Sequence, residues 1–131
     1  MKTFSKEERL CSRKSLDLLF KDGSSFLLYP YRISYLFVPG TFSYPVQVVI
    51  NVSKKRYKLA VDRNLIKRRT REAYRSKKDE ELYPSLKKPD ELLLLSIQFI
   101  GKKKYPFDFL DQKMSNLFKK LVTTLAAHEG S

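Results

Sequence analysis

This chain has few of the residues that carry protein chemistry. Its one cysteine, Cys11, cannot close an intrachain disulfide and fits a reducing compartment. Its one histidine, His128, falls in the tail, so neither a nucleophile triad nor a tetrahedral zinc site can be assembled. Four scattered glycines supply no phosphate-cradling loop. No run of 18 apolar residues occurs, and Leu92-Leu93-Leu94-Leu95 is far too short to span a bilayer. Met1-Lys2-Thr3-Phe4-Ser5-Lys6-Glu7-Glu8 lacks the apolar core of a signal peptide. Negative charge is also scarce: 14 Asp and Glu stand against 27 Lys and Arg. The acidic residues come as surface-like groups (Glu7-Glu8, Asp79-Glu80-Glu81, Asp90-Glu91, Asp108 with Asp111) rather than as a two-metal cluster.

What is present is a basic domain with a core. The 131 residues suit one domain, residues 1–131, and nine Phe with eight Tyr argue against disorder. A net charge of +13 calls for an anionic partner, nucleic acid first and an anionic membrane surface second. The expectation is a soluble, cytoplasmic, basic domain.

The charge is concentrated between Lys54 and Arg75, where ten of 22 residues are Lys or Arg and two are acidic. From Arg63 onward this stretch has no Pro or Gly, and Asp62 is a candidate N-cap, so a helix is predicted over 63–75, running on towards Lys78. At about 100° per residue, Arg63, Asn64, Lys67, Arg68, Arg71 and Arg75 share an arc of roughly 140°, with Ile66, Thr70 and Ala73 on another side. Solvated helix faces mix signs at i,i+4, whereas this arc holds no acidic residue. Phosphates would turn the repulsion into attraction and release counterions.

The rest of the chain reads as an α+β sandwich, in the order helix, strand, strand, basic helix, strand, long C-terminal helix. Ser5-Lys6-Glu7-Glu8 has the form of a capping box, and Ser12 opens a helix carrying Leu16, Leu19 and Phe20 that Gly23 would end. Phe26 to Pro30 is an apolar approach to a strand over Tyr31–Val38, and a second strand follows over Pro45–Ser53. Pro84 and Pro89 bound an irregular stretch before Glu91–Ile100, whose near-continuous apolar run predicts a central strand covered on both faces. Pro106 suits the first position of a last helix, where Phe107, Leu110, Met114, Leu117, Phe118, Leu121 and Leu125 keep a 3.6-residue period.

Val52-Ser53-Lys54-Lys55, then Ala60-Val61-Asp62-Arg63-Asn64-Leu65-Ile66-Lys67-Arg68 and Arg71-Glu72-Ala73-Tyr74, resemble the signature of the bacterial ribonuclease P protein component. Leu16-Asp17-Leu18-Leu19-Phe20-Lys21-Asp22-Gly23 is similar to that family's first helix. Two departures stand out: Leu65 occupies an arginine position, and the loop Arg56-Tyr57-Lys58-Leu59 lacks a glycine and is one residue longer.

The resemblance implies a left-handed βαβ crossover and a subunit whose partner, the ribonuclease P RNA, removes the 5′ leader of precursor tRNA using Mg²⁺ held mainly by that RNA. It implies no catalytic or metal-binding residue in the protein, no membrane and no obligate protein partner. RNA contacts would come from Arg63, Asn64, Lys67 and Arg68, with Arg71 and Arg75 added from the helical arc. Leader contacts would come from Phe20, Tyr35, Val52, Ser53, Lys54 and Lys55, with Leu16 filling a third aromatic position. Stacking on aromatics beside a basic groove would hold a single-stranded leader with little sequence preference. Plain core packing remains the competing account of Phe20 and Tyr35. Two other functions compete: a ribosomal-protein-like RNA scaffold, and a metal-dependent nuclease acting alone. A membrane-surface binder is weakest, since the basic helix has no broad apolar face.

Overall fold

The computed structural model describes residues 4–86 and 90–129. Pro89, one expected boundary, lies outside them. A short 3-10 turn at Lys6–Glu8 leads into α1 (Arg13–Asp22), β1 (Ser24–Leu28), β2 (Tyr31–Pro39), β3 (Val46–Val52), α2 (Ala60–Lys77), β4 (Glu91–Phe99) and α3 (Phe107–Glu129). The four strands lie in the order β1-β2-β4-β3. β4 runs antiparallel to β2 and parallel to β3, so its apolar run is central, as its composition predicts. Two parallel neighbours need a crossover, and α2 is that crossover.

Local chemistry accounts for the element ends. Ser12 caps α1, its Oγ accepting from Ser15 N–H at 3.3 Å. Gly23 ends it with φ −74°, so the left-handed C-cap geometry is not used. Glycine is needed there for closeness instead: an added Cβ would meet the Leu19 carbonyl oxygen at 2.3 Å and that of Tyr35 at 3.0 Å. The expected approach segment is itself a strand, β1, which pairs with β2 from Ser24↔Tyr35 to Leu28↔Tyr31. Phe26 and Leu28 face the core while Ser25 and Leu27 face out, the period-2 pattern of a half-buried strand. α3 starts at Phe107 and runs through His128 to Glu129, with the Pro106 carbonyl accepting from Leu110 N–H.

The two sheet faces are covered unequally. On one face Tyr31, Ile33, Tyr35, Leu93, Leu95, Ile97 and Phe99 meet the buried sides of α2 and α3. The α3 stripe is core as its period predicts: Leu110, Met114, Leu117, Phe118 and Leu121 are fully buried. On the other face α1 covers only one end, where Leu10 and Leu19 pack on Leu92 and Leu94.

The N-terminal turn is fastened to the end of α2 by a buried ion pair. Lys78 Nζ lies 2.6 Å from Glu8 Oε2, and both side chains are almost wholly buried. Tyr83 donates its hydroxyl to the same Glu8 oxygen at 2.5 Å, and the Ser5 backbone N–H donates to Glu8 Oε1 at 3.0 Å. Lys78 also reaches Asp79 at 3.2 Å and lies over the Tyr83 ring. Burial pushes the Glu8 carboxyl up, but the hydrogen bonds from Lys78, Tyr83 and Ser5 prevail and hold it below its ordinary value. Among the described residues, no helix is long and apolar enough to cross a membrane.

A depressed carboxyl contributes stability that is complete above its unfolded value and disappears as pH falls through the folded one. The melting temperature should therefore drop on acidification below about 4.5, the ordinary value, as the pair is protonated. Glu8→Gln should flatten that part of the profile. It should also cost roughly 3 kcal/mol at neutral pH by leaving Lys78 buried with Asp79 alone. Chemical denaturation across pH checks both; a Glu8→Gln profile parallel to the parent would remove Glu8 from this role.

Candidate nucleic-acid interface

α2 begins earlier than the sequence predicts, and Asp62 is not its cap. Leu59 is the N-cap residue, and its carbonyl accepts from the N–H groups of Asp62 and Arg63, each at 3.2 Å. Asp62 instead sits in the first turn, where negative charge suits the helix dipole, and binds Lys104 at 3.0 Å. The loop before the helix closes on itself, with Tyr57 N–H donating to the Ser53 carbonyl.

Ile66, Thr70, Ala73 and Tyr74 form the packed side of α2, and the Thr70 hydroxyl is 2.9 Å from that of Tyr31 on β2. Holding this side fixes where the cations point. Asn64, Arg68 and Arg71 are exposed and Lys67 is half-buried. Among the described residues, Lys67, Arg68 and Arg71 carry no hydrogen bond or ion pair to another protein group. Three such cations within two turns leave their mutual repulsion uncompensated.

The two ends of the expected arc are used differently. Arg63 donates to the carbonyls of Tyr57 at 2.7 Å and Lys58 at 2.9 Å, so its guanidinium holds the preceding loop. Arg75 donates from Nε to Glu72 at 3.0 Å, and this bond draws the Glu72 carboxyl below its ordinary value. Glu72 thus enters the arc through Arg75, although the helical wheel sets it apart. Arg69, off the arc, anchors the turn before α3 by donating to the Tyr105 carbonyl at 2.6 Å. Leu65, in place of the motif arginine, lines with Val61, Asp62, Asn64 and Arg68 a surface hollow of about 390 Å³.

The expected leader residues divide. Phe20 is 62% exposed, one turn after Leu16, which packs on the sheet. Lys54 and Lys55 are exposed, and Ser53 Oγ accepts from Lys55 N–H at 3.2 Å. Tyr35 and Val52 are corrections: both are buried in the core under α2 and α3, with Tyr35 against Phe26. Strand alternation explains this. Tyr35 shares its face with Tyr31 and Ile33, so the side chains that point towards the α1 side are Arg32, Ser34 and Leu36. The period of two that starts at buried Tyr31 leaves Arg32 exposed.

β3 ends at Val52, and Ser53-Lys54-Lys55 lead from it towards α2, whose open cations follow between Lys67 and Arg71. Exposed cations and the exposed Phe20 ring are groups that suit a polyanion with accessible bases.

Comparison with known proteins gives the family. The ribonuclease P family profile matches residues 4–122. Ribonuclease P protein components from two strains of Porphyromonas gingivalis are 39% identical over 74 residues, covering 56% of this chain and 54% of theirs. The chain thus spans about half the length of the curated relatives it matches. The solved RNase P protein from Thermotoga maritima superposes with a TM-score of 0.65 at 25% identity, covering 86% of this chain and 96% of that one. The Staphylococcus aureus RNase P protein, at 18% identity, shares the fold with a TM-score of 0.64 over 88% of this chain and 96% of its own. With the profile spanning nearly the whole sequence, the chain belongs to the ribonuclease P protein family.

Proposed function

We propose that this chain is the protein subunit of a ribonuclease P. It binds the catalytic RNA and the 5′ leader of precursor tRNA, and so supports endonucleolytic removal of the leader. The observation that carries this reading is the set of open, unpaired cations on α2, with the exposed ring of Phe20 on α1, in a chain of this family.

Each surface supplies a different kind of contact. Lys67, Arg68 and Arg71 neutralise phosphates of the RNA partner, with Asn64 beside them as a hydrogen-bonding group. Arg63 and Arg75, already engaged within the protein, contribute less. The leader is single-stranded, so its bases are accessible to Phe20 and its phosphates to Lys54 and Lys55. Mg²⁺ belongs to the RNA in this reading. Among the described residues no group of three or more His, Cys, Asp and Glu is placed to hold a metal ion. The protein's part in this reading is to bind and position.

Measured binding to a bacterial ribonuclease P RNA should weaken in Arg68→Ala, and the slope of log affinity against log salt should fall by about one charge. An unchanged slope would show that Arg68 touches no phosphate. Arg75→Ala should lower the slope by less than Arg68→Ala, because Glu72 already holds it.

For the leader surface, Phe20→Ala should weaken binding of leader-bearing precursor by roughly 1–3 kcal/mol while leaving mature tRNA unaffected. Equal losses on both substrates would return Phe20 to a packing role.

A further inference from the structure

Three loops meet at the end of the sheet where β3 and β4 finish. Register puts Tyr31, Phe99 and Val52 in one row there, so the turn at Tyr29-Pro30, the loop before α2 and the loop before α3 leave the sheet together. Hydrogen bonds tie the three. Tyr57 donates its hydroxyl to the Gly101 carbonyl at 2.9 Å, and Lys102 N–H donates to the Tyr29 hydroxyl oxygen at 3.0 Å. The hydroxyls of Tyr29 and Tyr105 lie 3.1 Å apart. Glycine is needed at 101 for closeness, since an added Cβ would meet the Phe99 ring at 2.5 Å.

Most cations on these loops are unspent. Arg56 and Lys58 before α2, and Lys102 and Lys103 before α3, are exposed, and among the described residues their side chains carry no hydrogen bond or ion pair. Lys104 differs, being paired with Asp62 at 3.0 Å. A hydroxyl proton is unspent too. Tyr29 and Tyr105 hold two protons and share one bond, so whichever donates, the other's proton has no protein acceptor among the described residues. The bond from Tyr105, then that from Lys102 N–H, then the charges of Lys102 and Arg56 hold the Tyr29 hydroxyl below its ordinary value, so cations of both loops flank it. The rings themselves are engaged with one another. Phe109 stacks on Tyr105 at 4.4 Å, Tyr29 meets Tyr105 edge-on at 6.2 Å, and Tyr57 packs against Phe99.

We propose that this end of the sheet is a second phosphate-binding surface for the RNA partner, separate from the open face of α2: Arg56, Lys58, Lys102 and Lys103, with the Tyr29–Tyr105 hydroxyl pair, grip the backbone of a base-paired RNA segment. The proposal rests on the RNA-subunit reading above. Its chemistry selects the ligand. Four unpaired cations call for a polyanion, and a free hydroxyl proton calls for an oxygen acceptor. Rings already packed on one another make a poor platform for an unpaired base. Double-stranded RNA keeps its bases stacked and presents phosphates and 2′-hydroxyls instead. Lys102 and Lys103 belong to the connection between β4 and α3, whereas Lys67, Arg68 and Arg71 lie along α2. Phosphate contacts set register and orientation, so two such surfaces would define how one RNA lies across the protein.

The test uses the full chain with a bacterial ribonuclease P RNA. Affinity is measured against salt, and the RNA backbone that the protein protects is mapped by hydroxyl-radical cleavage. Lys102→Ala combined with Lys103→Ala should lower the slope of log affinity against log salt by about two charges. That variant should lose protection of a base-paired segment that Arg68→Ala leaves protected, and should keep the parent's preference for leader-bearing over mature tRNA. Tyr29→Phe keeps the ring and removes the hydroxyl; it should weaken binding by roughly threefold with the slope unchanged. The two lysines are exposed loop residues, so their removal tests the surface independently of any loop shift in Tyr29→Phe. An unchanged slope with the full protection pattern would overturn the second surface while leaving α2 as the RNA site. Protection lost only at unpaired nucleotides would overturn it equally, and so would loss of the leader preference, which would give the patch to the leader. A parent that binds no ribonuclease P RNA would overturn both readings.

Discussion

Parallel pairing of β3 with β4 is the constraint from which the rest of the structure follows. Two parallel neighbours cannot be joined by a tight turn, so the chain must leave the sheet, travel back and re-enter. α2 makes most of that journey. Ile66, Thr70, Ala73 and Tyr74 bury one side of the helix against the sheet and α3. The other side has to face solvent, and there the sequence places Lys67, Arg68 and Arg71. The helix thereby sets these cations together on its solvent-facing side.

Basic residues serve two purposes here, and geometry separates them. Lys78, Arg63 and Arg69 are fasteners: one pairs with buried Glu8, one closes the loop before α2, and one ties α2 to the start of α3. Arg63 and Arg69 satisfy backbone carbonyls, and Lys78 neutralises the charge of a buried carboxylate. Lys67, Arg68 and Arg71 carry no such bond among the described residues, and Lys54 and Lys55 are exposed. The net charge therefore overstates the number of cations free of protein partners.

Several features were legible in the sequence because they are periodic or continuous. The α3 stripe, the apolar run of β4 and the packed side of α2 follow from spacing alone. Other features depend on partners distant in sequence. Glu8 and Lys78 pair across about 70 residues. Asp62 has the chemistry of a cap, but the closed loop starts the helix at Leu59's carbonyl and leaves Asp62 to Lys104. Tyr35 was misplaced for a different reason. The family resemblance assigned it to a cleft, while the alternation of its own strand turned it into the core. The same alternation turns Arg32 out to solvent.

The central claim is that this chain acts through an RNA that performs the cleavage. The most direct measurement is precursor tRNA cleavage at low Mg²⁺ by a bacterial ribonuclease P RNA, with and without the protein. The account predicts release of the 5′ leader when both are present, and little or none with either alone. Cleavage by the pure protein would contradict it by making the chain a nuclease in its own right. An RNA whose activity is indifferent to the protein would contradict it in favour of a scaffold for some other RNA.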